Sequence, residues 1–358
     1  MSRSSKTIRA FLIAGLVTTL SGAAAAASFG AEPGGAPSVV SEGTTFRPAL
    51  AEANDGDLLA SEPFLADPAG SPPRWSARVG AVILQRARPA SELFIFEPGS
   101  GERLLDPYDM VFPFNGGVDA GLLVRGAVVD VELRYFGAEQ STGTTGLVSL
   151  PAGAEFVLAP GDPLTDPIEA RLDGSSSLHS AEVNLRRNLT PRFTVLAGLR
   201  YLSFRDAMVL SGAEPGDPVE KFLTFGTTNH LYGLQVGADG ILWTNGARLR
   251  VESALKAGVY ANGVGTTLSG TEDDGTPFRF PFGEDHTAFV GDLNFVGVYQ
   301  MSERWAVRAG YQLLWLTGVA TGSTALHGID FSVDGPPKVI TSATVFFHGA
   351  LVGVERSW

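Results

Sequence analysis

The chain has 358 residues, a mean hydropathy of +0.12 and only 18% charged residues, with 44 glycines and 22 prolines. That composition disfavours long helices, and beyond residue 30 no apolar run reaches the roughly 18 residues a membrane helix needs. A formal charge of −12 argues against a nucleic-acid partner, which needs a basic footprint, and the lack of cysteine excludes disulfides and a lipobox.

The start, "MSRSSKTIRAFLIAGLVTTLSGAAAAASFG", places Arg3, Lys6 and Arg9 before an apolar segment at 10–20 and small residues at Ala25 and Ala27. This is the pattern of a signal peptide over 1–27, so the chain is expected to be exported. Without the three basic residues the net charge becomes −15. Residues 28–73 carry seven acids against one base, Arg47, with frequent Pro and Gly and no sustained period. They are expected to be a flexible, disordered linker.

From Trp75 onward strand-like runs follow one another, approximately at 74–86, 111–125, 127–136, 177–189, 192–205, 229–243, 247–261, 285–301, 304–316 and 342–358. In "VVDVELRYF", Val129, Val131, Leu133 and Tyr135 alternate with Asp130, Glu132 and Arg134, the period of a two-faced strand. Short joints lie near Arg125-Gly126-Ala127, Leu189-Thr190-Pro191-Arg192, Thr244-Asn245-Gly246 and Met301-Ser302-Glu303-Arg304. Asn-Gly is a strong hairpin signal because both residues tolerate positive φ. Long loops are expected at 87–110, 137–176, 206–228, 262–284 and 317–341. Short turns at one end, long loops at the other and an even strand number predict an all-β, antiparallel transmembrane up-and-down barrel of about ten strands, with twelve as the alternative count. Acid concentrates in the loops, which sum to −15, while strands and short turns sum to +6. Trp75, Trp243, Trp305, Trp315 and Trp358, with several tyrosines, fall near strand ends, as in the aromatic girdles of membrane barrels.

The polar face supplies candidate lumen-lining residues: Asp130, Glu132, Arg134, Glu182, Arg186, Arg200, Asp239, Arg248, Arg250, Glu252, Lys256, Asp292 and Arg308. Ten strands lie close to the eight whose interior is filled by side chains, so opposed charges are expected to pair and plug the lumen. Any current that passes is expected to lean weakly towards anions, because the wall sums basic. The chain ends "FFHGALVGVERSW", with Phe346, His348, Ala350, Val352, Val354 and Trp358 on one face.

Chemistry-bearing patterns are sparse. Ser177 and His179 share a strand face, an arrangement similar to outer-membrane phospholipases, but the order is reversed and no Asn is placed to orient the His. Asp273-Asp274 lacks calcium-loop spacing, and His230, His286, His327 and His348 lack metal spacing. No catalytic residue, cofactor or metal site is therefore assigned.

From about Trp75 onward the chain resembles a planctomycete-type outer-membrane β-barrel family, often labelled porin-like. The segments that carry this are "LLDPYDMVFPFNGGVDAGL", "ELRYFG", "HSAEVNLRR", "LAGLRYLSF", "NHLYGLQVGAD", "KAGVYAN" and "AFVGDLNFVGVYQMSERWAVRAGYQLLWLTGVA". The ending likewise resembles the C-terminal assembly signal of such barrels, which implicates Val352, Val354 and Trp358; Trp in place of the usual Phe, and Arg356 on the apolar face, depart from that pattern. The resemblance implies an outer-membrane location, with outer-membrane lipid, the barrel-assembly machinery and small solutes as partners, and permeation or a structural envelope role. An outer-membrane hydrolase and a soluble secreted β-protein are the alternatives.

Overall fold

The computed structural model describes residues 73–90, 95–97, 99–156, 167–213, 220–246, 248–271, 277–327 and 341–358. The expected signal peptide, and all of the expected linker but Pro73, lie outside the described residues.

Ten strands form the wall: β1 (Trp75–Arg86), β2 (Asn115–Val124), β3 (Asp130–Thr144), β4 (Ile168–Thr190), β5 (Phe193–Ala213), β6 (Glu220–Thr244), β7 (Leu249–Thr271), β8 (Pro277–Gln300), β9 (Trp305–Val319) and β10 (Ala343–Ser357). Each pairs antiparallel with the next. β10 pairs with β1 from Ser76↔Ser357 to Arg86↔Phe347, so the sheet closes on itself. Trp75 and Trp358 seal the seam, each backbone N–H donating to the other's carbonyl at 3.0 Å.

The stagger fixes the size. Paired residues lead from Tyr135 through Ala181, Tyr201, Tyr232 and Ala261 to Thr287 on β8. The opposite path, through Ala120, Val79, Val354 and Val307, returns to β8 at Tyr299, twelve residues away. With about 3.3 Å per residue and about 4.8 Å between strands, this stagger tilts the strands by about 40° and gives a backbone radius of about 10 Å.

The faces are inverted relative to a soluble protein. On β3, Leu133 is 44% exposed, while its neighbours Glu132 and Arg134 are 4% and 5% exposed. Charge inside and Val, Leu and Tyr outside is the arrangement of a wall that meets lipid. Trp75, Trp243, Trp305 and Trp358 ring the short-turn end on this outer face. Trp305 and Trp315, ten residues apart on β9, stand about 25 Å apart along the axis at this tilt, which matches the apolar band of membrane barrels. Two glycines in the wall have a packing reason: Gly291 leaves room for the Trp315 ring, and Gly233 for the Tyr260 ring, each where a Cβ would collide.

The strands outrun the sequence expectation. Much of 137–176, 206–228 and 262–284 is strand rather than loop, because β4–β8 continue as a tall wall beyond the apolar band. Inward residues there build a second core, in which Leu172, Leu210, Phe225 and Leu268 pack with Ile95, Leu105 and Phe112 from the β1–β2 connection. Two short strands of that connection, Ile95–Phe96 and Arg103–Leu105, form a separate small sheet with Glu155–Phe156.

Substitution of Leu133 by Arg is expected to destabilise the folded barrel by roughly 2–4 kcal/mol, the cost of a charge on the lipid face near midplane. Urea titration of the barrel in phospholipid vesicles measures it. An unchanged midpoint would mean that this face does not meet lipid.

Candidate functional site

The barrel interior is stacked in layers. At the short-turn end it opens into a cavity of about 490 Å³. Its wall carries two groups of ion pairs. Arg308 reaches Glu355 at 2.7 Å and Glu252 at 2.8 Å, and Arg250 donates to Glu252 at 2.6 Å. Arg186 bridges Glu132 at 3.0 Å and Asp239 at 2.8 Å, while Arg78 approaches Glu132 at 3.3 Å.

Above the cavity the charges close ranks. Glu182, fully buried, accepts from Lys256 Nζ at 2.6 Å, Gln235 Nε2 at 2.9 Å and Asn184 Nδ2 at 3.1 Å. Arg200 lies 3.7 Å and Arg134 3.9 Å from its second oxygen. Asp292, also fully buried, accepts from Gln312 at 3.0 Å and Arg200 at 3.4 Å. These groups come from β3, β4, β5, β6, β7, β8 and β9, so the layer ties opposite walls together. Buried carboxylates are tolerated because each meets several donors.

An apolar layer follows. Phe136, Leu178, Leu202, Phe204, Tyr260, Leu314 and Phe347 belong to one buried cluster. Arg134 and Arg200 stack over the Phe136 ring at 4.8 and 5.5 Å, joining the charged layer to the apolar one. Beyond it, the end of β9 and the residues after it are pinned inside the barrel. Asn229 exchanges hydrogen bonds with the backbone of Ala320, both at 2.8 Å, and Asn262 donates to the Gly318 carbonyl at 3.1 Å. Asp206 pairs with Arg86 and accepts from the Gly322 N–H at 2.8 Å.

Most of the sequence-predicted lumen residues point inward: Glu132, Arg134, Glu182, Arg186, Arg200, Asp239, Lys256 and Asp292 join one network, and Arg250, Glu252 and Arg308 form a second cluster with Glu355. Asp130 also points inward but serves the rim, accepting from the Gly126 N–H at 3.1 Å to close a turn. Arg248 lines the mouth of the short-turn cavity from the β6–β7 turn rather than from a strand: Asn245 Oδ1 accepts from the N–H groups of Arg248 and Leu249, and β7 begins only at Leu249. The expected basic surplus is also absent from the wall, where the cations are matched by carboxylates; the surplus arginines lie at the short-turn rim. Arg78, Asp119 and Arg86 were missed. On β1 the inward face mixes Arg78 and Arg86 with Gly80, Val82 and Leu84, which hides the polar period.

On the outer face, Tyr135 Oη meets His179 Nδ1 at 3.0 Å, and Ser177 makes no hydrogen bond to that His. The same diagonal pair recurs as Tyr201–His230 at 2.8 Å and Tyr311–His348 at 2.6 Å. No group of three or more metal-ligating side chains occurs among the described residues.

No protein-family model and no curated protein matches the chain. Solved structures do. The outer membrane protease OmpT from Escherichia coli aligns with a TM-score of 0.45 and 9% identity, over 79% of this chain and 96% of that one. The CymD monoaromatic hydrocarbon channel aligns with a TM-score of 0.28 and 8% identity, over 80% and 89%. An anion-selective porin from Comamonas acidovorans aligns with a TM-score of 0.16 and 8% identity, over 79% and 100%.

Replacing Glu182 by Leu strands Lys256 without its nearest counter-charge and is expected to cost about 3–5 kcal/mol, as for other broken buried pairs. Pairing it with Lys256→Met should recover part of that loss. Unfolding midpoints in detergent for the single and double variants give the answer. A single variant as stable as the parent would mean that water reaches this layer.

Proposed function

We propose that the protein is an outer-membrane β-barrel with a structural role in the envelope and that it does not conduct. The observation that carries this is the closed lumen. A layer of ion-paired charges lies directly against an apolar layer, both built from side chains of the barrel wall itself. A removable loop could act as a gate, but these layers cannot leave without the wall. The cavity at the short-turn end is therefore blind, and small solutes that enter it go no further.

An outer-membrane location fits the lipid-facing wall, the two aromatic levels about 25 Å apart and the signal-peptide pattern at 1–27. The barrel-assembly machinery would receive the closing strand β10, whose outer face carries Val352, Val354 and Trp358. No catalysis is assigned: His179 is engaged by Tyr135, and Ser177 has no base aligned to it.

Planar-bilayer recording tests the reading. The reconstituted mature chain is expected to give no stable single-channel current in molar potassium chloride. A steady current that scales with salt would contradict it.

A further inference from the structure

We propose that the short-turn rim is a binding collar for anionic phospholipid headgroups. The rim has five joints, four turns and the β10–β1 seam, and each carries arginine. Arg74 precedes β1, Arg125 opens the β2–β3 turn, Arg192 lies in the β4–β5 turn, Arg248 in the β6–β7 turn, Arg304 in the β8–β9 turn, and Arg356 stands on β10. Arg187, near the end of β4, adds a further exposed guanidinium. Against them, the only exposed side-chain carboxylate at this rim among the described residues is Glu303. In a chain whose formal charge is −12, this is a segregated basic band.

The side chains are available. None of Arg74, Arg187, Arg192, Arg248 and Arg304 has a carboxylate partner among the described residues; Arg192 and Arg248 stand at the mouth of the short-turn cavity, Arg74, Arg187 and Arg304 outside it, and the arginines deeper in the lumen are all paired. Their level is set independently by the tryptophan ring. Arg74 adjoins Trp75, Arg304 adjoins Trp305, and the Arg356 guanidinium lies 5.3 Å from the Trp305 ring centre. Tryptophan seats at the boundary between acyl chains and headgroups, so these arginines reach the phosphate level, where the planar fork of guanidinium binds phosphate oxygens. The inference rests on the membrane reading and adds which lipid charge the short-turn leaflet must supply.

Four of the five tryptophans lie at this rim, which provides the assay. Quenching of tryptophan fluorescence by brominated phosphatidylglycerol is compared with brominated phosphatidylcholine, using the full mature chain in vesicles. The expected preference for phosphatidylglycerol is roughly fivefold in relative association constant, equivalent to about 1 kcal/mol for a single arginine at an anionic surface. It should fall towards parity in the triple variant R192Q/R304Q/R356Q, and R171Q/R279Q, remote on β4 and β8, should leave it unchanged. Equal quenching by both lipids in the parent chain overturns the collar while leaving the membrane reading intact. Quenching by neither lipid removes the membrane reading itself. Loss of the preference on adding millimolar inorganic phosphate, or soluble acidic glycan, would assign the arginines to another ligand and also overturn the proposal.

Discussion

A sheet in lipid cannot leave an edge, because each unpaired backbone group in hydrocarbon costs several kcal/mol. The pairing of β10 with β1 meets that constraint, and the rest of the molecule follows from it. Ten strands closed with a stagger of twelve residues fix a backbone radius of about 10 Å. Side chains from facing walls then meet at the axis. Whatever the inward positions carry must fit against its opposite number, and where they carry charge it must find counter-charge. Glu182 and Asp292 show the outcome, since both are removed from solvent and both are surrounded by donors from several strands. Such pairs add little net stability over an apolar filling. What they add is register: a one-residue slip of β4 against β3 would turn Glu182 to the lipid and Val183 to the lumen.

The two ends of the barrel are built differently. At the short-turn end the strands stop at tight turns, and arginine and tryptophan crowd the rim. At the other end β4–β8 rise well past the lipid band and need a reason to stay ordered. The second core supplies it, because Phe225, Leu210 and Leu268 on the wall are covered by Ile95, Leu105 and Phe112 from the β1–β2 connection. The end of β9 and the segment after it are drawn into the barrel by Asn262, Asn229 and Asp206. The described parts of both connections therefore serve as packing, over an interior that its own side chains have already closed.

Strand number, faces and closure were legible because they depend on period-two alternation and on where turns interrupt it. Val131, Leu133 and Tyr135 against Glu132 and Arg134 state the two faces without any tertiary information. Strand length was not legible in the same way. Ser175, Thr227, Thr266 and the glycines near them have no strong polarity, so 137–176, 206–228 and 262–284 read as loop although much of them hydrogen-bonds as strand. Arg78 escaped notice because its face on β1 continues into Gly80 and Val82. The closed state of the lumen was only half legible: ion pairing could be anticipated from mixed charges, whereas the apolar layer of Phe136, Leu202 and Phe347 emerges only when the stagger brings distant strands to one level.

Because the chain has no cysteine, single reporters can be placed in the lumen without background. Ala254→Cys would sit in the wall of the short-turn cavity, and Leu202→Cys in the apolar layer beyond the paired charges. Their rates of reaction with a small charged methanethiosulfonate, in the barrel reconstituted in vesicles, test the closed interior most directly. Rapid modification is expected at Ala254→Cys and none at Leu202→Cys until the barrel is unfolded. Comparable rates at the two positions would show a continuous aqueous path and contradict it.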